Sequence, residues 1–478
     1  MMESKNRIGD EWMIPDGRKM VVKNPSNLDE EVGVIHLSHD YHVMEAEKAA
    51  RNALGEWASK TPGERGEVLY HMAQALQNQL EDLATLASSE MGKPITEMKG
   101  EVKRGIHLLK YYAAEGMRSD GSVIPASSTG VLQYTKRVPL GVVGIITPWN
   151  FPVAIPIWKL APALICGNTV IWKPSENASL TATRLMEIFA ATDLPPGVLN
   201  LLIGKGREIG PPLLEQMDLD GVSFTGSSET GTKVAMICAK RNIKYQTEMG
   251  GKNAAVVLRD ADIHQTVPLV LSGAFRSAGQ KCTATSRIIV EKGIFSAFTE
   301  VLKKEMAKIK MANALDPTAT LGPVASKEQY DKVSSYVDLA RSSAEVLTEK
   351  TSSLSDPGYY IDPIVVTGVD VKHQLSQEEI FGPLAVILEA SDFEEAVEWC
   401  NQTVYGLSAS LFTRDLSKAH LFLDKAEAGM VRVNQETAGV EYQAPFGGMK
   451  GSSSHTREQG QAALDFYSQV KTCAIQYR

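Results

Sequence analysis

Cysteine is scarce in this chain. Five thiols, Cys166, Cys238, Cys282, Cys400 and Cys473, are scattered over 478 residues. An odd, widely spaced set of this kind argues against a disulfide framework and suits a reducing, cytoplasmic compartment. There is no CxxC pair and no Cys/His cluster, so no metal site is expected. Long hydrophobic runs are missing too. None reaches the roughly 20 residues that a membrane-spanning helix needs. The apolar stretch 142–157 is broken by Pro148, Asn150, Pro152 and Pro156. The opening residues Met1-Met-Glu-Ser-Lys-Asn hold no apolar segment of the secretory kind. Positive charge is not in excess either: the net charge is −8 and the pI near 5.7. That argues against nucleic acid as the main partner. No internal repeat and no low-complexity tract interrupts the sequence, and 352–358 reads as a polar loop.

What is present is an ordinary globular composition, 43% hydrophobic and 22% charged, in a chain long enough for two or three domains. Ala46, Ala49, Ala50, Leu54 and Trp57, then Leu69, Met72, Leu76, Leu80 and Leu83, recur at helical spacing, so 43–118 reads as helical. Strand patterns follow at 131–138 and 141–146. From there, strands at 169–172, 198–202 and 221–224 alternate with helices over 179–191 and from about Glu229. A second alternating series starts near Asn253. It has strands at 254–258, 286–290 and 384–388 and helices over 267–276, 295–308 and 393–401. Alternation of this kind predicts parallel sheets with crossover helices in two α/β lobes that meet near Gly250-Gly251.

Several segments carry chemistry. Cys282 lies in Gly279-Gln-Lys-Cys-Thr-Ala-Thr-Ser286, downstream of Glu248-Met-Gly-Gly-Lys-Asn253. A thiol with a carboxylate in reach is a nucleophile and base pair, although a buried, inert cysteine is the commoner fate of a free thiol. Asn150 sits between Pro148 and Pro152, which stiffen its loop and fix its amide. The plainer alternative is an Asx turn. Lys173 ends an apolar strand, where ligands bind in open α/β sheets, and Glu176 follows three residues on. A solvated Lys–Glu pair is the other reading. Gly226-Ser227 opens a helix that also holds Gly231, an anion site by helix-terminus physics. Gly204-Lys-Gly206-Arg-Glu-Ile-Gly210 is one residue too long for a G-x-G-x-x-G fingerprint, and reads equally as a plain strand-to-helix turn.

With Thr147-Pro-Trp149-Asn-Phe151-Pro and Glu378-Glu379-Ile-Phe381-Gly-Pro383, these segments resemble the aldehyde dehydrogenase superfamily in content and order. The likeness extends from about residue 20 to the C-terminus. Within the superfamily the chain is most similar to α-ketoglutaric semialdehyde dehydrogenases, through 279–287, Val431-Arg-Val-Asn434 and Gln443-Ala-Pro-Phe446-Gly-Gly-Met-Lys450. The resemblance implies an α/β fold with a Rossmann-like cofactor domain (1–118 and 139–250) and an α/β catalytic domain (251–455). A small β oligomerisation arm with a C-terminal strand (119–138 and 456–478) completes it. It implies Cys282 as nucleophile, Glu248 as general base and Asn150 with the Cys282 N–H as oxyanion donors. Lys173 is carried over in both the catalytic and the cofactor set. Lys173 and Glu176 would hold the adenosine ribose, Ser227 the pyrophosphate and Glu379 the nicotinamide ribose, with Phe381 against the nicotinamide. Thr147, Trp149, Ser175, Gly206, Gly226, Gly231 and Gly250 complete the cofactor shell.

The chemistry implied is oxidation of an aldehyde through a cysteine thiohemiacetal and a thioester, for which a thiol of low pKa is expected. Retention of Glu248 favours hydrolysis over transfer to coenzyme A. NAD is the expected cofactor, with NADP possible. Arg104, Phe151, Trp158, Arg276, Thr283, Val440 and Phe446 would line the substrate tunnel, the two arginines gripping the distal carboxylate of a semialdehyde. The preferred substrate is α-ketoglutaric semialdehyde. Succinic semialdehyde or a broad aldehyde range is the alternative within the class, and a non-catalytic binding protein on the same fold the alternative outside it. Val131 to Val138 and the C-terminal strand are expected to pair subunits into a homodimer or homotetramer.

Overall fold

The computed structural model describes residues 1–118, 121–349 and 357–478. Residues 352–356 of the polar loop, and 119–120 at the start of the expected arm, therefore lie outside the described residues. Two seven-stranded sheets dominate. The first runs in the order Lys244–Glu248, Gly221–Thr225, Val142–Thr147, Thr169–Pro174, Leu199–Leu201, Asn6–Ile8, Glu11–Met13. Its first five strands are parallel and the last two antiparallel. The second runs Glu345–Glu349, Ile364–Thr367, Leu384–Ala390, Thr285–Glu291, Asn253–Val257, Ser408–Phe412, Met430–Val433. It is parallel except for its first pair. Central strands such as Thr169–Pro174 are buried along their whole length, as strands covered by helices on both faces must be.

The predicted helical region resolves into Asp40–Ser59, Pro62–Asn78, Leu80–Met91 and Ile95–Glu115. Thr61 caps the second of these, and Glu64 returns the bond in a capping box, worth about 1 kcal/mol. The predicted strands and helices from 131 to 308 all form, with ends displaced by a few residues. The strands within residues 2–36 and the helix Ala154–Ile165 were not expected. The prolines in 148–156 read as breakers, yet Pro156 falls in the first turn of that helix, where its missing N–H costs nothing. Ser468–Gln476, Val131–Pro139 and Val123–Ile124 form a separate antiparallel sheet. Among the described residues no helix is long and apolar enough to cross a membrane.

Candidate active site

The ends of the first sheet's strands set the site. Thr147 and Glu248 close two of its parallel strands, Lys173 is the last residue but one of a third and Gly226 follows a fourth, all at the carboxyl edge where α/β sheets bind ligands. Cys282 precedes Thr285–Glu291 of the second sheet. A pocket of about 180 Å³ joins them, with Trp149, Asn150, Gly226, Ser227, Gly250, Cys282, Glu379 and Phe381 among its lining residues.

The loop that carries Cys282 is held in an unusual shape. The helix Ile263–Phe275 stops one residue before Arg276, and Ser277, Ala278 and Gly279 then take left-handed φ values of 56°, 53° and 70°. For the first two this is strain. Glu97 holds it in place, accepting from Ser277 Oγ at 2.7 Å and from its N–H at 3.2 Å. Only glycine fits at 279, because a Cβ there would lie 2.2 Å from Gly382 O. Asn150 is buried, and its Nδ2 donates to Gln280 O at 3.0 Å, which puts the amide beside the thiol loop. Polar contacts add to the flanking prolines. Lys93 Nζ donates to Asn150 O at 2.6 Å and pairs with buried Glu101, whose Oε1 accepts from the N–H groups of Val153 and Ala154.

The expected low thiol pKa is not found in this state. Burial, with the Glu379 and Glu248 charges, pushes the Cys282 thiol up to about 12, against partial relief from the N–H groups of Thr283 and Cys282 itself. The thiol therefore needs a base to take its proton. Glu248 accepts from Ser453 Oγ at 2.6 Å, and burial, reinforced by the Glu458 charge, lifts its pKa well above the ordinary carboxylate range. Behind it lies a buried polar cluster with little sequence signal. Glu458 pairs with Lys159 and accepts from Trp158 Nε1 at 2.7 Å, while Lys159 also donates to Ser223 Oγ at 2.8 Å. The one available clue was Lys159 itself, the single charge in the otherwise apolar helix Ala154–Ile165.

On the other side the residues fit a dinucleotide. Lys173 Nζ donates to Pro174 O at 2.8 Å, one of three donors; burial lowers its pKa, partly offset by Glu176. A Cβ on Gly206 would sit 4.0 Å from that Nζ, so both segments border one space. Ser175 caps the short turn begun by half-buried Glu176. Ser227 uses its Oγ to cap Ser228–Lys240, which leaves backbone N–H groups of the first turn for an anion. Gly250 admits Glu379: a Cβ would lie 2.5 Å from Glu379 Oε2, and Gly251 N–H donates to Oε1 at 3.0 Å. Gly231 and Gly226 are small for packing, against Met249 and the Phe224 ring. Thr147 Oγ1 accepts from Trp172 Nε1 at 2.9 Å. Phe381, at φ 59°, meets Trp149 edge-on with ring centroids 5.6 Å apart.

Four of the seven residues expected in the tunnel share a cluster with the nucleophile. Phe151, Trp158, Val440, Phe446 and Cys282 share one apolar cluster. Trp158 lies 5.2 Å from Phe446, and Lys93 Nζ sits 3.7 Å above the Phe151 ring. Thr283 O accepts from Thr437 Oγ1 at 2.8 Å. Arg104, half-buried on Ile95–Glu115, donates to Gln459 Oε1 at 2.9 Å. Burial lowers its pKa, Glu441 and Glu101 support its charge, and Arg432 opposes it. Arg276 stands apart, exposed beyond the helix end.

The model of the aldehyde dehydrogenase family matches residues 12–473. An alpha-ketoglutaric semialdehyde dehydrogenase from Bacillus subtilis is 44% identical over 98% of this chain and 97% of its own. A 2,5-dioxopentanoate dehydrogenase from Saccharolobus solfataricus is 35% identical over 98% and 99%. A betaine aldehyde dehydrogenase from Staphylococcus aureus, solved in complex with NAD+, superimposes with a TM-score of 0.96 at 32% identity over 99% of this chain and 95% of its own. The chain belongs to the aldehyde dehydrogenase family, oxidoreductases that act on aldehydes.

Proposed function

We propose that this enzyme oxidises α-ketoglutaric semialdehyde to 2-oxoglutarate, with NAD as the preferred acceptor. The reaction rests on Cys282 and Asn150 at one pocket, with Glu248 beside them. The substrate rests on half-buried Arg104, the cation of the proposed tunnel set that the structure leaves partly buried, and on the names of the relatives above. Cys282 gives up its thiol proton to solvent water, and Sγ adds to the aldehyde carbon. Charge that develops on the oxygen meets the Cys282 N–H and Asn150 Nδ2. NAD, when bound, supplies the two-electron acceptor that converts the adduct to a thioester. Glu248 then takes a proton from water, the hydroxide adds to the thioester carbon, the C–S bond breaks and the acid leaves with Cys282 regenerated. The scattered free cysteines favour a cytoplasmic site of action.

The two arginines test the substrate. Arg104→Leu should lower kcat/KM for α-ketoglutaric semialdehyde by about tenfold to a hundredfold and leave a neutral C5 aldehyde nearly unchanged, whereas Arg276→Leu, at an exposed residue away from the tunnel, should change neither substrate much. Equal losses on both substrates from Arg104→Leu, or none, would remove the case for an acidic semialdehyde. Cofactor choice follows from Glu176, whose carboxylate repels a 2′-phosphate, with Lys173 the nearby cation. The kcat/KM ratio should favour NAD by about tenfold or more, and a strong NADP preference would reverse this assignment.

Assembly is proposed through the arm. Ser468–Gln476 pairs on one side with Val131–Pro139 and is the outer strand of its sheet, with Val470 and Ile475 exposed. Such an edge calls for a partner. Solution scattering should show a dimer or tetramer; a monodisperse monomer contradicts the proposal.

A further inference from the structure

Gln459 is out of place by every local measure. It is fully buried, its φ of 60° lies in the left-handed region that favours glycine, and its side-chain Nε2 has no hydrogen-bond partner. Its orientation is fixed by chemistry. Arg104 has only donors, so the bond from Arg104 Nη2 turns Oε1 of the amide toward the guanidinium and Nε2 away. Buried donors are nearly always paired, and backbone strain held beside an active site points to use.

The backbone on either side ties Gln459 to a segment assigned to the tunnel. The preceding residue, Glu458, exchanges backbone bonds of 2.6 and 2.7 Å with Phe446, and the N–H of the following Gly460 donates to Tyr442 O at 3.2 Å. Gln459 is therefore pinned on both sides to the segment 440–446, whose Val440 and Phe446 share the apolar cluster with Cys282. Arg432 braces the other end of that loop, donating to Glu436 O and Ala438 O at 3.2 and 2.8 Å.

We propose that Gln459 and Arg104 form one recognition unit for the acid end of the substrate, Arg104 engaging the carboxylate and Gln459 Nε2 donating to a carboxylate or 2-oxo oxygen. An α-keto acid presents only acceptors at that end, and this unit presents only donors to it. A neutral aldehyde leaves Nε2 unpaired and is rejected for that reason. The inference rests on the semialdehyde reading above.

The experiment compares wild type, Gln459→Leu and Gln459→Glu on α-ketoglutaric semialdehyde and pentanal with NAD. Gln459→Leu should lose about tenfold in kcat/KM on the semialdehyde, mainly through KM, with pentanal changed less than about threefold. Gln459→Glu keeps an acceptor for Arg104 but removes the donor and adds negative charge, so its loss should be larger. Pentanal turnover and NAD binding report that each variant is folded. Equal loss on both substrates, or an unchanged preference in both variants, overturns the inference alone. A wild-type enzyme with no preference for the semialdehyde overturns the substrate reading, and this inference with it.

Discussion

Cys282→Ala is expected to abolish turnover, by on the order of 10⁴-fold or more, while dinucleotide binding stays near wild type. The thiol forms the one covalent bond between enzyme and substrate in the proposed reaction. Alanine removes the nucleophile and changes little else, because the strained turn at 277–279 is held by Glu97 and by the close approach to Gly382, not by the sulfur. Residues assigned to the dinucleotide, Lys173, Glu176 and the first turn of Ser228–Lys240, belong to the first sheet's edge and are untouched. Dinucleotide titration and steady-state turnover on one preparation check both halves. An alanine variant that turns over near the wild-type rate would remove Cys282 from the mechanism. A wild-type protein that binds NAD but never turns over would instead mark a non-catalytic member of the fold.

Glu248→Gln is expected to slow the second half-reaction by about 10²- to 10⁴-fold, the range of a lost general base. The first half should survive, so rapid mixing should still give a burst of reduced dinucleotide equal to the active sites. Loss of the burst as well would assign Glu248 to removal of the thiol proton. The pH dependence has a fixed sign. Burial and the Glu458 charge raise the Glu248 pKa, so the carboxyl keeps its proton well above the ordinary carboxylate range and acts as a base only once that proton leaves. Deacylation should therefore rise with pH through the elevated pKa, and the Gln variant should lack that limb. The same elevation makes the neutral carboxyl contribute stability at low pH, which is lost as pH climbs through the raised pKa.

The sequence made some of this site legible and hid the rest for physical reasons. Cys282, Asn150 and Glu248 were readable because each sits among residues whose backbone demands are local: glycine at 279, prolines around 150, paired glycines after 248. The parallel sheets were readable because fully buried strands must be apolar along their length. Lys93, Glu101, Lys159 and Glu458 were not readable as a group. Lys159 stands out only as a lone charge in an apolar segment, the other three look like solvated charges in sequence, and Lys159 and Glu458 meet across a separation of 299 residues. The close approach of Glu379 to Gly250 was not readable, because the carboxylate lies 128 residues beyond the adjacent Gly251 in sequence. Gln459 left no trace, since neither its left-handed backbone nor its bond to Arg104, 355 residues away, is written in neighbouring residues. The thiol pKa was misjudged for a similar reason: sequence shows the nucleophile but not its burial beside two carboxylates.

The most direct test of the account is wild-type turnover of α-ketoglutaric semialdehyde with NAD, with products quantified. The account predicts one 2-oxoglutarate per reduced dinucleotide, and a kcat/KM above those for succinic semialdehyde and a neutral C5 aldehyde under the same conditions. No 2-oxoglutarate, or a preference for the neutral aldehyde, would contradict it.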